Sequence, residues 1–302
     1  MTPLTIPYRT GQIIVLADLH FDHYVRQNRD PFSAHDLHVR LNWDVDALII
    51  AGDLVDALAQ NWPRGLGFLK RYVPVQKIYI MPGNHDYYGH RLDADTDFQA
   101  CIEASGAHFV QKCLLLHGVT RILACTLWTD FDLLGTPRRS MALARRGMRD
   151  YSAIGKIDPS QELLQLDEVI RPRELDITPQ DTLDLHHDQR AWLEAMLAQP
   201  HFAGQQGQTV VITHHGPHPV AAEPIGELSP AFYSDLKALI LRHQPDIWFF
   251  GHSHHRFRGT VGRTDLRNVG IGYPGERQPD RSLYLEDICT ITSDPFKRDT
   301  DD

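Results

Sequence analysis

Apolar residues along this chain gather into short unbroken runs, and several of those runs stop at histidine, aspartate or asparagine. Ile13-Ile14-Val15-Leu16-Ala17 gives way to Asp18-Leu19-His20, Ala47-Leu48-Ile49-Ile50-Ala51 to Gly52-Asp53-Leu54-Val55-Asp56, and Ile78-Tyr79-Ile80-Met81-Pro82 to Gly83-Asn84-His85-Asp86. Further on, Thr209-Val210-Val211-Ile212 leads into Thr213-His214-His215-Gly216-Pro217, and Ile247-Trp248-Phe249-Phe250 into Gly251-His252-Ser253-His254. Continuous runs rich in β-branched and aromatic residues are the pattern of strands buried on both faces. Between them, helical patterns span residues 62–72, 96–105 and 181–198, the last amphipathic on Leu183, Leu185, Trp192, Leu193, Met196 and Leu197. Residues 33–42 are polar and helix-compatible, and Ser229 is placed to cap a helix over 230–243 that starts on Pro230. Strands alternating with helices predict an α/β fold with a mainly parallel sheet.

Other stretches depart from that alternation. The runs 112–116 and 121–125 flank His117-Gly118-Val119-Thr120, a hairpin in which Gly118 supplies the positive φ of a tight turn. Runs near 256–261, 266–271 and 283–291 predict β structure that closes a second sheet. From 128 to about 180 the apolar periodicity is poor, which predicts a long insertion or cap within one domain spanning 1–292. Residues 293–302 read as a polar, frayed tail.

Composition narrows the function classes. With 42% apolar and 23% charged residues among 302, the chain is an ordinary soluble globular protein. A formal net charge of −9 argues against general attraction to nucleic acid or an anionic membrane. No window approaches the roughly 18 uncharged apolar residues of a membrane span, and the N-terminus has no basic region followed by an apolar core, so a cytoplasmic location is expected. The 4 cysteines include no C-x-x-C pair and are expected to be reduced, buried small residues. Histidine is the unusual component: 18 are present, a type that binds metals and moves protons.

An isolated D-x-H or H-x-H is weak, because short patterns recur by chance. Strand ends are different, because in open α/β sheets the carboxyl ends meet at one edge, where ligands bind. In chain order, the blocks D-x-H, G-D, G-N-H-D, a single His after a strand and G-H-x-H resemble the calcineurin-like metallophosphoesterase superfamily over residues 13 to about 272, with every block intact. The resemblance implies a four-layer αββα sandwich of two mixed sheets flanked by helices, with two metal ions at the strand ends. It implies that Asp18, His20, Asp53 and His254 hold the first ion, and Asp53, Asn84, His214 and His252 the second. Residues 213–217, Trp128-Thr129-Asp130 and the G-H-S-H block resemble a bacterial subgroup of the family from which no substrate carries over.

The chemistry of the residues agrees with that implication. A carboxylate can bridge two ions, so Asp53 suits the shared position. Asp18 and His20, two apart on an extended segment, would point to the same side. A nitrogen and oxygen donor set without thiolate suits Mn, Fe or Zn, divalent or trivalent, better than Ca or Mg. Two such ions about 3.5–4 Å apart clamp a phosphate and lower the pKa of a water for in-line attack, which removes the need for a nucleophilic Ser or Cys.

His85 resembles the family's general acid, and Asp86 beside it would orient the ring; the rival role for His85 is a group behind the ligands or a phosphate-binding donor. His214 is taken as the ligand and His215 as lining the substrate cleft, although the stretch itself leaves the order of the two open. Asp56 is expected to brace a loop or a histidine. Arg138, Arg139, Arg145, Arg146 and Arg149 form a basic island suited to phosphate, with Arg145 and Arg146 as substrate candidates, against the plainer reading of a solvated helix face. His23 and His255 are expected at the surface or cleft, and His186-His187 facing solvent.

The expectation is therefore a dinuclear-metal phosphoesterase acting on a small phosphomonoester or phosphodiester. The contrasting reading is a non-catalytic metal-binding scaffold or interaction protein on the same fold, against which the intact ligand set speaks. Oligomeric state is not encoded in any of these patterns.

Overall fold

The computed structural model describes residues 2–56, 58–158, 174–222, 224–278 and 282–293. In chain order its strands are β1 (Leu4–Thr5), β2 (Gln12–Leu16), β3 (Ala47–Ala51), β4 (Ile78–Met81), β5 (His108–Phe109), β6 (Cys113–His117), β7 (Thr120–Cys125), β8 (Gly155–Ile157), β9 (Glu174–Asp176), β10 (Gln208–Thr213), β11 (Ile247–Phe250), β12 (Phe257–Val261), β13 (Thr264–Asn268) and β14 (Thr290–Thr292). One sheet has the order β14-β2-β3-β4-β5 and the other β1-β6-β7-β10-β11-β13-β12, while β8 and β9 pair separately. Both large sheets are mixed. β2 to β5 run parallel with β14 antiparallel, and β7, β10, β11 and β13 run parallel with β6 and β12 antiparallel.

Burial on both faces explains the unbroken apolar runs. In the larger sheet, Ile122, Ala124, Val210, Ile212 and Phe249 pack into the same core as Ile13 to Ala17 and Ala47 to Ala51. Their neighbours Leu123, Cys125, Val211, Trp248 and Phe250 face a second core with Leu193, Leu239 and Ile240 from flanking helices. Alternation along each strand thus feeds two apolar layers at once, as a pleat must. Mixed sheets flanked by helices match the expected architecture.

Helices expected at 62–72, 96–105 and 181–198 are Leu58–Leu69, Asp95–Ala104 and Pro179–Leu197, the last opened by a Thr178/Asp181 capping box. Residues 33–42 fall in two short helices, Pro31–Ala34 and Leu37–Arg40. The helix expected over 230–243 is a correction: a 3-10 turn spans Ser229–Ala231 and the helix is only Lys237–His243. Between them Ser234 N bonds Gly216 O and Leu236 N bonds Pro217 O, both at 3.0 Å, so tertiary backbone bonds outcompete the helical ones.

The run 283–291 also differs. It splits into a helix, Leu285–Ile288, and β14, which pairs antiparallel with β2 in the smaller sheet instead of closing the larger one. Ser293 is not frayed but buried, with its Oγ 2.9 Å from His117 Nδ1; residues 294–302 lie outside the described residues. Of the cysteines only Cys125 and Cys289 are buried; Cys101 is exposed and Cys113 half-buried, and all are free. No helix among the described residues is long and apolar enough to cross a membrane.

The connection from β7 to the helix Pro179–Leu197 contains the helix Pro137–Gly147, a turn of helix Asp150–Ala153 and the β8-β9 pair. The part of the expected insertion at 159–173 lies outside the described residues.

Candidate active site

The carboxyl ends of β2, β3 and β4 in one sheet and of β10 and β11 in the other supply the residues that converge on one site. Four groupings of metal-type ligands form among the described residues; His20, Asp56 and His85 make one, Asp22, His23 and Asp56 another, and the remaining two, a first and a second ligand grouping, carry the strand-end residues predicted as ligands. Ligand-type atoms of Asp18, His20 and His254 lie within 4.8 Å of one another, and so do those of Asp53, His214 and His252. His20 Nε2 and His254 Nε2 are 2.9 Å apart. Asp53 Oδ2 stands between the groupings, 3.8 Å from His20 Nε2 and 3.4 Å from His214 Nε2. Asn84 Oδ1 joins the second grouping, 3.0 Å from His214 Nε2.

Backbone geometry presents these side chains in an unexpected way. Asp18, His20, Asp53, His252 and His254 have φ of 55°, 39°, 56°, 65° and 58°. The left-handed region costs a non-glycine residue about 1 kcal/mol or more and persists where surrounding contacts enforce it. Here Asp18 N donates to Gly52 O and His20 N to Asp53 O at 3.0 Å, and His252 N donates to Asp18 Oδ2 at 2.9 Å. Asp18 and His20 therefore reach the site through left-handed turns, which corrects the expectation of an extended segment with alternating faces. Close approach also requires glycine: a Cβ on Gly83 would overlap the Asp53 carboxylate, and one on Gly52 the His214 ring.

The donor chemistry fits metal. Asp53 Oδ2 and His252 Nε2 are buried polar atoms without a hydrogen-bond partner, a condition that costs about 1–3 kcal/mol for each such group. His214 Nδ1 donates to Ala51 O at 2.9 Å and His254 Nδ1 lies 2.8 Å from Glu276 Oε2, which fixes each ring with Nε2 turned into the site as the nitrogen that would ligate. Burial pushes the Asp18 carboxyl up to about 6 and the His20 imidazole down to about 3, and holds His252 well below the usual histidine range. For His214 burial works against the charge, yet the Asp53 carboxylate raises it to about 9. A cation bound here would displace that proton.

His85 sits beside the two ligand groupings, its ring 4.8 Å from that of His20. Its Nδ1 is 2.8 Å from Asp56 Oδ1, and its Nε2 is 3.3 Å from the phenol oxygens of both Tyr88 and Tyr273. Burial disfavours the imidazolium, but Asp53 and Asp56 outweigh it and raise His85 to about 9; bound cations would oppose that rise. The partner of the ring is thus Asp56 and not the expected Asp86. The Asp86 carboxylate accepts bonds from Asp53 N and Gly83 N at 2.8 Å, tying the turns after β3 and β4 together. His85–Tyr87 forms a 3-10 turn, whose three residues per turn send adjacent side chains in different directions.

Asp150, from the connection after β7, was not singled out by any motif. It is buried, and its Oδ1 accepts from Asn84 Nδ2 at 2.8 Å and from Tyr88 Oη at 2.6 Å. The first bond turns Asn84 Oδ1 toward the second grouping, and the second bond holds the phenol beside His85. Asp150→Ala is expected to weaken metal binding by about 10–100-fold while the fold is retained, read by competition with a chelating dye; unchanged affinity would refute this positioning role.

The remaining candidates are placed differently from expectation. His215 is buried, its ring 4.2 Å from that of His252 and 5.1 Å from Trp128, so it backs a candidate ligand instead of lining an open cleft. Arg145 and Arg146 are exposed on the helix Pro137–Gly147. Arg149 is the basic residue that reaches the site, with Nη1 3.8 Å from Asp56 Oδ2 and its guanidinium 5.2 Å from the Tyr88 ring centroid. His186 is buried, with Nδ1 3.1 Å from Leu127 O, a correction to the solvent-facing expectation that only exposed His187 meets. His23 Nε2 is 3.1 Å from Asp56 Oδ2, and His255 is exposed.

The family model for calcineurin-like phosphoesterases matches residues 11–256. A protein of Acanthamoeba polyphaga mimivirus is 22% identical over 270 residues, which cover 83% of this chain and 87% of that protein. Among solved structures, phosphopantetheinyl hydrolase (PptH) from Mycobacterium tuberculosis superposes with a TM-score of 0.59 at 16% identity, over 88% of this chain and 92% of that one. A purple acid phosphatase from yellow lupin gives a TM-score of 0.45 at 14% identity, over 93% of this chain and 48% of that one.

Proposed function

The chain belongs to the calcineurin-like phosphoesterases, and from that premise we propose that it is a dinuclear-metal phosphoesterase whose two ions share Asp53. Asp18, His20 and His254 complete the first site, and Asn84, His214 and His252 the second. The observation that carries the proposal is Asp53 Oδ2, buried without a hydrogen-bond partner between the two donor groupings. Mn, Fe or Zn suits this donor set. Bound there, the ions supply Lewis acidity toward the phosphoryl oxygens and a water of lowered pKa.

The protein's own residues do the rest. Asp56 fixes His85 through Nδ1, which leaves Nε2 to protonate the departing oxygen. Tyr88 and Tyr273 hold positions beside that nitrogen, and Tyr273 also stacks on His20 with ring centroids 4.2 Å apart. Arg149 sits at the rim, where a guanidinium complements phosphate charge. The substrate is a small phosphomonoester or phosphodiester.

Protein reconstituted with Mn, Fe or Zn is expected to hydrolyse p-nitrophenyl phosphate or bis(p-nitrophenyl) phosphate. Absence of turnover with both esters in fully loaded protein would overturn the hydrolase reading and favour a metal-binding scaffold.

A further inference from the structure

A cavity of about 310 Å3 opens beside the second grouping, walled by Pro224, Leu228, Phe232 and Tyr233. Phe232 is the side chain that this cavity shares with the reaction centre. The Phe232 ring lies 4.6 Å from the ring of His252, and Ser253, the residue between His252 and His254, also lines the cavity. Leu228, which lines the cavity, is 38% exposed, so an apolar side chain is open to a ligand there. Leu228 is braced from behind by the end of the helix Pro137–Gly147, where a Cβ on Gly147 would come within 3.1 Å of it. Ligand pockets run from about 300 to 1,000 Å3, so this one takes a single modest group.

The position of His85 decides which part of a substrate that group is. The departing oxygen must reach His85 Nε2, which lies with Tyr88, Tyr273 and His20, whereas the cavity lies against Phe232, which packs on His252. A phosphomonoester has one ester arm, and it departs toward His85. A second, apolar compartment therefore has an occupant only when phosphorus carries a second substituent. Resting on the phosphoesterase reading above, we infer that the chain acts on phosphodiesters whose retained arm is apolar and lies in the Leu228/Phe232 cavity.

The reaction balances. Water oxygen forms a new bond to phosphorus while the bond from phosphorus to the departing oxygen breaks, and that oxygen keeps the electron pair and takes the proton from His85 Nε2. A water proton is released and restores His85. The products are an alcohol and a phosphomonoester of the apolar arm.

The test compares p-nitrophenyl phenylphosphonate with p-nitrophenyl methylphosphonate on the metal-loaded full chain. Both carry one negative charge and the same leaving group, and they differ only in the retained substituent. The phenyl compound is expected to have a kcat/KM about tenfold higher or more, expressed mainly in KM. Gly226 lines the cavity, and a Cβ there would meet only Ser229 Oγ, at 4.0 Å, so Gly226→Phe adds bulk to the cavity without changing charge and is expected to bring the phenyl-to-methyl ratio to within about twofold. Leu228→Asn is expected to lower the same ratio by removing the apolar wall. Equal rates for the two substrates, or a phenyl preference that survives both substitutions, would overturn the assignment. Calorimetric binding of phenylphosphonate and methylphosphonate separates the two levels of the argument. If no ester is turned over but phenylphosphonate binds about tenfold more tightly and Gly226→Phe abolishes the difference, the cavity assignment stands and the hydrolase reading falls. Equal binding of the two phosphonates would sink the cavity assignment whatever the turnover.

Discussion

Asp53→Asn is expected to lower turnover of p-nitrophenyl esters by on the order of a thousandfold or more, because in the proposed centre one carboxylate would serve both ions. The substitution is nearly isosteric. Asn tolerates the left-handed φ of 56° at this position, and its remaining oxygen can keep the 2.9 Å bond that Asp53 Oδ1 accepts from His85 N. What changes is the atom between the groupings: an NH2 donor replaces Oδ2, aimed at the space between His20 Nε2 and His214 Nε2. A negative charge is removed, and two hydrogens would point at the proposed cation sites. An unchanged circular dichroism spectrum with lost activity is the expected result. Loss of fold together with activity would show that Asp53 carries structure instead.

His85→Ala is expected to cut kcat by about a hundredfold to ten-thousandfold for esters of poorly acidic alcohols, and by only a few-fold for p-nitrophenyl esters. The reason lies in where the proton is needed. A p-nitrophenolate departs readily without one, whereas an alkoxide does not. His85 Nδ1 is committed to Asp56, so only Nε2 can serve the departing oxygen. Metal content is expected to stay intact, since the donor atoms of both groupings come from other residues. A plot of rate against leaving-group pKa checks this: the variant's line should be steeper than that of the natural protein. Parallel lines, with equal losses for good and poor leaving groups, would remove the general-acid role.

The candidate ligand residues were legible as a converging set because each follows a strand buried on both faces, where an unbroken apolar run ends abruptly at a polar side chain. Their manner of presentation was not legible. Asp18 and His20 were expected together through strand alternation, but left-handed turns, enforced by bonds to Gly52 and Asp53 from the neighbouring strand end, bring them there. Sequence adjacency misled in the case of Asp86, since a 3-10 turn separates neighbouring side chains and frees Asp56, 29 positions away, to hold His85. Asp150 had no signal at all: it lies in a stretch without periodicity, and its role follows only from its contacts with Asn84 and Tyr88. The helix expected over 230–243 failed for the same reason, because partners at Gly216 and Pro217 are invisible to local propensity.

Metal content per chain, measured by mass spectrometry on the natural protein and on Asp53→Asn after identical reconstitution and gel filtration, tests the shared-ligand claim most directly. Two ions per chain in the natural protein, and a loss of occupancy in the variant, are expected. A single ion in the natural protein, or two ions retained by Asp53→Asn, would contradict a dinuclear centre bridged by this carboxylate.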